Sequence, residues 1–289
     1  MEASTGIEPV YTDLQSAASP LRQLAASGGG QIARILGVCK RLIGENRGLW
    51  VIVPRDDLWH DAGRLMNERV TLVVDYTSRR IMMVDTQVRP SDVTKFPIID
   101  AMLDVKRELF VPSNKREAAY IGENIDLSAT RVVLEPRTFA KMLDALNVKP
   151  SEVVLDLGCG LGYSTAVLAK IAEFVVAVES DETMANDAQT TLSEQGIDNA
   201  AVMTGELVNG SAKSGPYDVI ILEGAVETMP DAIISQLKEG GRIGALFAEG
   251  ALGVVRIGYK LDGKINWRDA FNAGAPVLEG FAKERAFAL

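Results

Sequence analysis

The residues most able to do chemistry stand in the middle of the chain. There an apolar run, 153–157, ends in a loop that spaces Asp156, Gly158, Gly160 and Gly162 two residues apart. Glycines let a backbone approach a ligand closely, and a helix starting just after them presents free N–H groups and a partial positive charge. In open α/β sheets, ligands sit beyond the carboxyl ends of such strands. The spacing argues against a dinucleotide, whose fingerprint needs Gly or Ala three residues after Gly160, because Tyr163 stands there. No GxxxxGK followed by Ser or Thr occurs, which removes a P-loop. Glu179 ends the next apolar run, 19 residues after Gly160, where a carboxylate accepts ribose hydroxyls. Gly205, Glu206 and Leu207 follow the third run.

Positioning those residues takes alternating strands and helices. Apolar runs at 153–157, 174–179, 200–205, 217–224 and 242–249 alternate with helical stretches at 164–172, 181–195 and 230–241. Near-continuous apolar strands separated by helices mean a parallel sheet covered on both faces. Runs 253–261 and 284–289 close the chain without a crossover helix, so an antiparallel hairpin is expected at the sheet edge. Ahead of the sheet, 91–110 places Ile98, Ile99, Met102, Val105 and Leu109 at helical spacing, with Pro97 limiting how early the helix begins. A second amphipathic stretch, 136–147, opens on Pro136. The expected fold is α/β: a doubly wound, Rossmann-like, mostly parallel sheet over 151–289, with an antiparallel C-terminal edge hairpin and a small N-terminal helical cap over 82–150.

Residues 1–81 read differently. They hold ten basic against nine acidic residues, where the remainder holds twenty against thirty. Their apolar pieces at 49–54 and 69–76 are strand-like without an evident partner, and 18–31 is turn-rich. The segment 6–23 resembles translations read antisense across a transfer-RNA gene. The expectation is a poorly structured extension arising from a start codon placed too early, with the protein proper beginning at Met82 or Met83; a genuine but mobile extension is the competing reading.

Bulk properties narrow the function further. A chain of 289 residues that is 47% hydrophobic can bury a sizeable core. Its net charge of −9 works against unaided nucleic-acid binding, which needs clustered cations on phosphates. Cys39 and Cys159 stand in neither metal nor redox spacing, and no apolar run approaches a membrane span. With no basic-then-apolar leader, the expectation is a cytoplasmic protein with no metal, no nucleic-acid partner and no membrane. The composition leaves the oligomeric state unknown. His60, in the doubtful extension, is the only histidine. The core therefore has no imidazole to deprotonate an alcohol or amine, although Asp and Glu remain available.

The loop from Asp156 to Gly162 resembles motif I of class I S-adenosylmethionine-dependent methyltransferases. Residues 83–93, 101–112 and 118–120 further resemble the N-terminal region of protein-L-isoaspartate O-methyltransferases, so the likeness covers about Met83 to Leu289. It implies S-adenosyl-L-methionine as cofactor, held by Asp156 at its ammonium, Gly158, Gly160 and Gly162 at its methionyl end, Glu179 at its ribose, and Glu206 and Leu207 near its adenine. It implies isoaspartyl-containing proteins or peptides as substrates, methylated on the α-carboxylate so that the ester cyclises and partly reopens as normal aspartate. A carboxylate is ionised at neutral pH and needs no base, so positioning carries most of the catalysis. One departure stands out. The family carries Thr-Ile-Ser-x-Pro before the helix preceding motif I, with the serine beside the transferred methyl. This chain has Val132, Val133, Leu134, Glu135 and Pro136 there. Leu134 cannot donate a hydrogen bond to an acceptor, which leaves Leu134, Glu135 and Arg137 as the catalytic-loop candidates. A small-molecule acceptor, or a cofactor-binding relative without catalysis, stands beside repair as an alternative.

Overall fold

The structure is a computed structural model that describes residues 75–250 and 252–283. The early-start expectation for residues 1–81, His60 and the run 284–289 accordingly fall outside the described residues, apart from 75–81.

Those seven residues correct the boundary. Helix α1, Tyr76–Met83, runs across it, and its N-cap Asp75 accepts from the backbone N–H groups of Thr77 and Ser78, each at 3.1 Å. Residues 75 and 76, expected at the end of a strand, are thus a cap and a first turn. Arg80 and Met83 are buried, and Arg80 Nη1 lies 3.8 Å from Glu108 Oε2, with both side chains under a tenth exposed. Tyr120 donates its hydroxyl to the same carboxylate.

The cap continues with α2, Phe96–Asp104, which buries Ile98, Ile99 and Met102 as their spacing predicts. The helix is shorter than the amphipathic stretch. Pro97 fixes its first turn, and Val105 turns extended (φ −70°, ψ 123°), so Leu109 belongs to a separate tight turn. A two-residue hairpin follows, β1 (Ile125–Asp126) on β2 (Val132–Val133), and then α3, Pro136–Leu146.

The sheet alternates as expected: β3 (Val153–Leu157), α4 (Tyr163–Ala169), β4 (Phe174–Glu179), α5 (Glu182–Glu194), β5 (Ala200–Thr204), β6 (Tyr217–Val226), α6 (Asp231–Ser235), β7 (Leu237–Glu249), β8 (Leu252–Leu261) and β9 (Lys264–Asn272). Their order across the seven-stranded sheet is β5-β4-β3-β6-β7-β8-β9, parallel from β5 to β7 and antiparallel beyond. Chain direction across the sheet reverses between β3 and β6, which opens the crevice where such folds bind ligands.

Two expectations fail at this edge. The helix over 230–241 stops at Ser235, because Leu237 is drawn into the sheet opposite Tyr217 and Gly240 takes a positive φ of 77°. The edge hairpin is real, but it joins β8 to β9 through Asp262 and Gly263, both at positive φ. After β9 the chain crosses back over the sheet end. Ala225 N–H donates to Pro276 O and Leu278 N–H to Ala225 O, both at 2.8 Å, burying Leu278 and Phe281.

The buried pair under α1 tests whether this helix belongs to the fold. Arg80→Met leaves Glu108 without its cation and should lower unfolding stability by about 1–3 kcal/mol in urea titration. Adding Glu108→Gln should recover most of that loss. An unchanged urea midpoint for Arg80→Met would place α1 outside the cooperative unit.

Candidate active site

Strand alternation sets the site. Along β3, Leu155 and Leu157 face one core cluster, while Val154 and hence Asp156 face the other. The same alternation turns Glu179 at the end of β4, and Glu223 in β6, to that second face, together with Tyr163, Leu134, Phe110 and Phe139. Leu157 pairs with Leu222 as the last rung between these strands, and Glu223 follows directly in β6. Three buried carboxyl groups therefore stand on one face at the carboxyl ends of three adjacent parallel strands.

The glycine loop behaves as its spacing predicts, with Gly158, Gly160 and Gly162 all at positive φ. At two of them a side chain stands close as well. A Cβ on Gly162 would come 3.1 Å from Ala188 Cβ on α5, and one on Gly160 would come 2.5 Å from Leu127 Cδ1. Tyr163, which excludes the dinucleotide fingerprint, is buried between Phe110 and Phe139, its ring centroid 6.2 and 5.8 Å from theirs.

Each acid has its own partners. Asp156 Oδ2 accepts from Ser164 Oγ and Thr165 Oγ1, both at 2.7 Å, on the first turns of α4, while its Oδ1 is buried without a partner. Burial pushes its carboxyl up to about 6, against the pull of the two hydroxyls. Glu179 takes the N–H of Gly160 at 2.9 Å, the N–H of Ser180 at 2.7 Å and Arg131 Nε at 2.9 Å, in an almost wholly buried ion pair. Arg131 also donates to Ser180 Oγ at 2.7 Å. An acid expected to meet ribose hydroxyls thus already holds a guanidinium, a partner the sequence did not reveal. Glu223 is buried with Oε1 unpartnered. Burial and then the nearby Asp156 raise its carboxyl well above the usual range, with Arg107 opposing.

The remaining sequence candidates divide. Leu207 is buried, and its Cδ1 would meet a Cβ on Gly158 at 3.5 Å. Glu206 is exposed and accepts from Asn209 Nδ2 at 2.8 Å, so it stands outside the buried group. Leu134 is buried, and its carbonyl accepts from Arg107 Nη2 at 2.8 Å. Glu135 and Arg137 lie on a partly exposed rim, 3.8 Å apart, with Thr138 Oγ1 donating to Glu135. Arg107, Arg131 and Glu223 were missed from sequence. Among the described residues no cluster of His, Cys, Asp and Glu could hold a metal ion.

The arrangement suits a cationic, sugar-bearing ligand. It offers an unpartnered carboxylate oxygen on Asp156, a backbone opened by three glycines, and a second carboxylate beside them. A family model described as protein-L-isoaspartate(D-aspartate) O-methyltransferase matches residues 81–258. Similar curated proteins include the protein-L-isoaspartate O-methyltransferase of Syntrophus aciditrophicus, 34% identical over 168 residues, or 58% of this chain and 77% of that one. That of Vibrio campbellii is 35% identical over 153 residues, covering 53% and 74%. Among solved structures, a putative protein-L-isoaspartate O-methyltransferase from Plasmodium falciparum in complex with S-adenosyl-L-homocysteine superposes with a TM-score of 0.61. It is 21% identical, covering 69% of this chain and 98% of that one, and so speaks for the fold. From motif, fold and likeness together, this chain belongs to the protein-L-isoaspartate(D-aspartate) O-methyltransferase family and is a methyltransferase with S-adenosyl-L-methionine as its cofactor.

Proposed function

We propose that this chain methylates the α-carboxylate of isoaspartyl residues in damaged proteins and peptides. Family membership supports the reaction class. The observation in this chain that carries the reading is Asp156, buried beside the glycine loop with one carboxylate oxygen unpartnered. The cofactor, when bound, supplies a methyl group on a positively charged sulfur.

The chain's own residues then do four things. Asp156 holds the ligand's ammonium through Oδ1 while Ser164 and Thr165 fix its other oxygen. Gly158, Gly160 and Gly162 let the backbone lie against the methionyl end. Glu179 receives the ribose hydroxyls by exchanging Arg131 for them, and Leu207 packs toward the base. Leu134 gives the methyl an apolar wall that keeps water from competing. The acceptor oxygen attacks as a carboxylate, so no residue has to remove a proton. We further place this work in a reducing, cytoplasmic compartment. Buried Cys159 is a free thiol, and no helix among the described residues is long and apolar enough to cross a membrane. The substitution at Leu134 favours one competing reading, a small-molecule acceptor.

Two measurements check this. The full chain with labelled S-adenosyl-L-methionine should transfer methyl to an isoaspartyl peptide at least tenfold faster than to its normal-aspartyl twin. Equal or absent transfer to both would reject repair. Separately, Asp156 lies above its ordinary 3.8, at about 6, so its ionised form costs the folded chain stability. That cost grows as pH rises from about 4 to about 6 and is complete above. Asp156→Asn removes it, so the variant's urea midpoint should gain on wild type through that window and hold the gain at higher pH. A difference independent of pH would show that Asp156 is not desolvated as described.

A further inference from the structure

The methyl-acceptor side of the site lacks the hydroxyl implied by the family at position 134, yet it does not lack donors. Among the described residues, the buried side-chain atoms without a hydrogen-bond partner include Arg107 Nη1, Tyr163 OH and Glu223 Oε1. Buried polar groups are ordinarily paired, so unpaired atoms from three separate elements call for a common partner. The three belong together. The Arg107 guanidinium lies 4.5 Å from the Tyr163 ring centroid. Arg107 and Tyr163 shift each other's ionisation through charge and a side-chain contact, while Arg107 Nη1 and Tyr163 OH make no hydrogen bond of regular geometry. Glu223 interacts electrostatically with both and, one residue past the Leu157–Leu222 rung, lies on the face it shares with Asp156. Through Nη2, Arg107 is also tied to the Leu134 carbonyl, which places the group directly behind the apolar residue at the serine position.

We infer that Arg107, Tyr163 and Glu223 form the acceptor-carboxylate site of this chain, supplying from behind Leu134 the hydrogen bonds that Leu134 cannot give. Charge decides what they take. Arg107 brings a positive N–H and Tyr163 a phenol O–H. Glu223 interacts with Asp156, Arg107, Tyr163 and Cys159; burial and then Asp156 raise its carboxyl well above the usual range, and in its neutral form a carboxyl is a donor. Three donors and a net positive charge suit a carboxylate and repel an amine. In the transfer an oxygen–carbon bond forms as the sulfur–carbon bond breaks, and sulfur leaves as a neutral thioether, so no proton moves. The β1–β2 hairpin and the residue after it cover this group, with Leu127 over Gly160, Arg131 on Glu179 and the Leu134 carbonyl on Arg107.

This inference rests on the repair reading, and one experiment separates the two. Methyl-transfer kinetics with an isoaspartyl peptide are measured on the full chain and on Glu223→Leu, Glu223→Gln and Tyr163→Phe, with S-adenosyl-L-homocysteine affinity measured alongside. Glu223→Leu should raise the peptide KM at least tenfold while leaving homocysteine-nucleoside affinity within twofold. Glu223→Gln, whose amide still donates, should stay within a fewfold of wild type. If Glu223→Leu fails to fold, Tyr163→Phe, which removes one oxygen, should still raise the peptide KM severalfold. An active wild type with an unchanged peptide KM in Glu223→Leu, or in Tyr163→Phe where Glu223→Leu does not fold, overturns the inference alone. A Glu223→Gln as inactive as Glu223→Leu also overturns it, since Glu223 would then act ionised, as a base. A wild type that binds the nucleoside but does not methylate the peptide overturns the repair reading and this site with it.

Discussion

Three carboxyl groups buried side by side at the ends of β3, β4 and β6 govern the rest of the structure, because desolvated acids must be paired, neutralised or given a ligand. Each meets the requirement differently. Glu179 has a cation, Arg131, and a ring of backbone N–H donors. Asp156 has two hydroxyls on one oxygen and nothing on the other. Glu223 has no partner on Oε1, and burial with Asp156 nearby raises its carboxyl well above the usual range. The same three demands place the surrounding parts. Asp156 fixes the start of α4 through Ser164 and Thr165, Glu179 fixes the glycine loop through Gly160 and the β1–β2 hairpin through Arg131, and Arg107 holds the Leu134 carbonyl.

In the proposed acceptor site, such a constellation lets a chain with Leu134 at the serine position keep the chemistry of its family. A hydroxyl lost from one wall of a site matters only if no donor stands on another wall. In the proposed site Arg107, Tyr163 and Glu223 stand on that wall, and the apolar Leu134 would face the sulfonium. Hydrogen bonds to a developing neutral ester weaken during transfer, so these donors act chiefly in binding and orientation.

How much of this was legible in the sequence follows from range of interaction. The alternating strands and helices, the glycine loop and Glu179 were legible, because each is written in local spacing. Glu223 carried the same signal as Glu179, an acid closing an apolar run, and was readable by that rule. Arg107 was not, since it sits in an amphipathic stretch whose helix ends at Asp104, and only tertiary packing buries it. Arg131 lies beside strands of two residues, too short to show a period. Glu206 had the expected position after β5, yet its side chain turns to Asn209 and solvent, a choice made by rotamer rather than by spacing. The edge strand β9 was missed because its alternating residues are mostly exposed, while the Asp262–Gly263 turn that makes it possible was readable.

The most direct test of the buried acids as a ligand cradle is calorimetric titration of S-adenosyl-L-homocysteine into the full chain, Asp156→Asn and Glu206→Gln. The account predicts binding by wild type, at least tenfold weaker binding by Asp156→Asn, and no change for the exposed Glu206→Gln. Wild-type affinity in Asp156→Asn would contradict it.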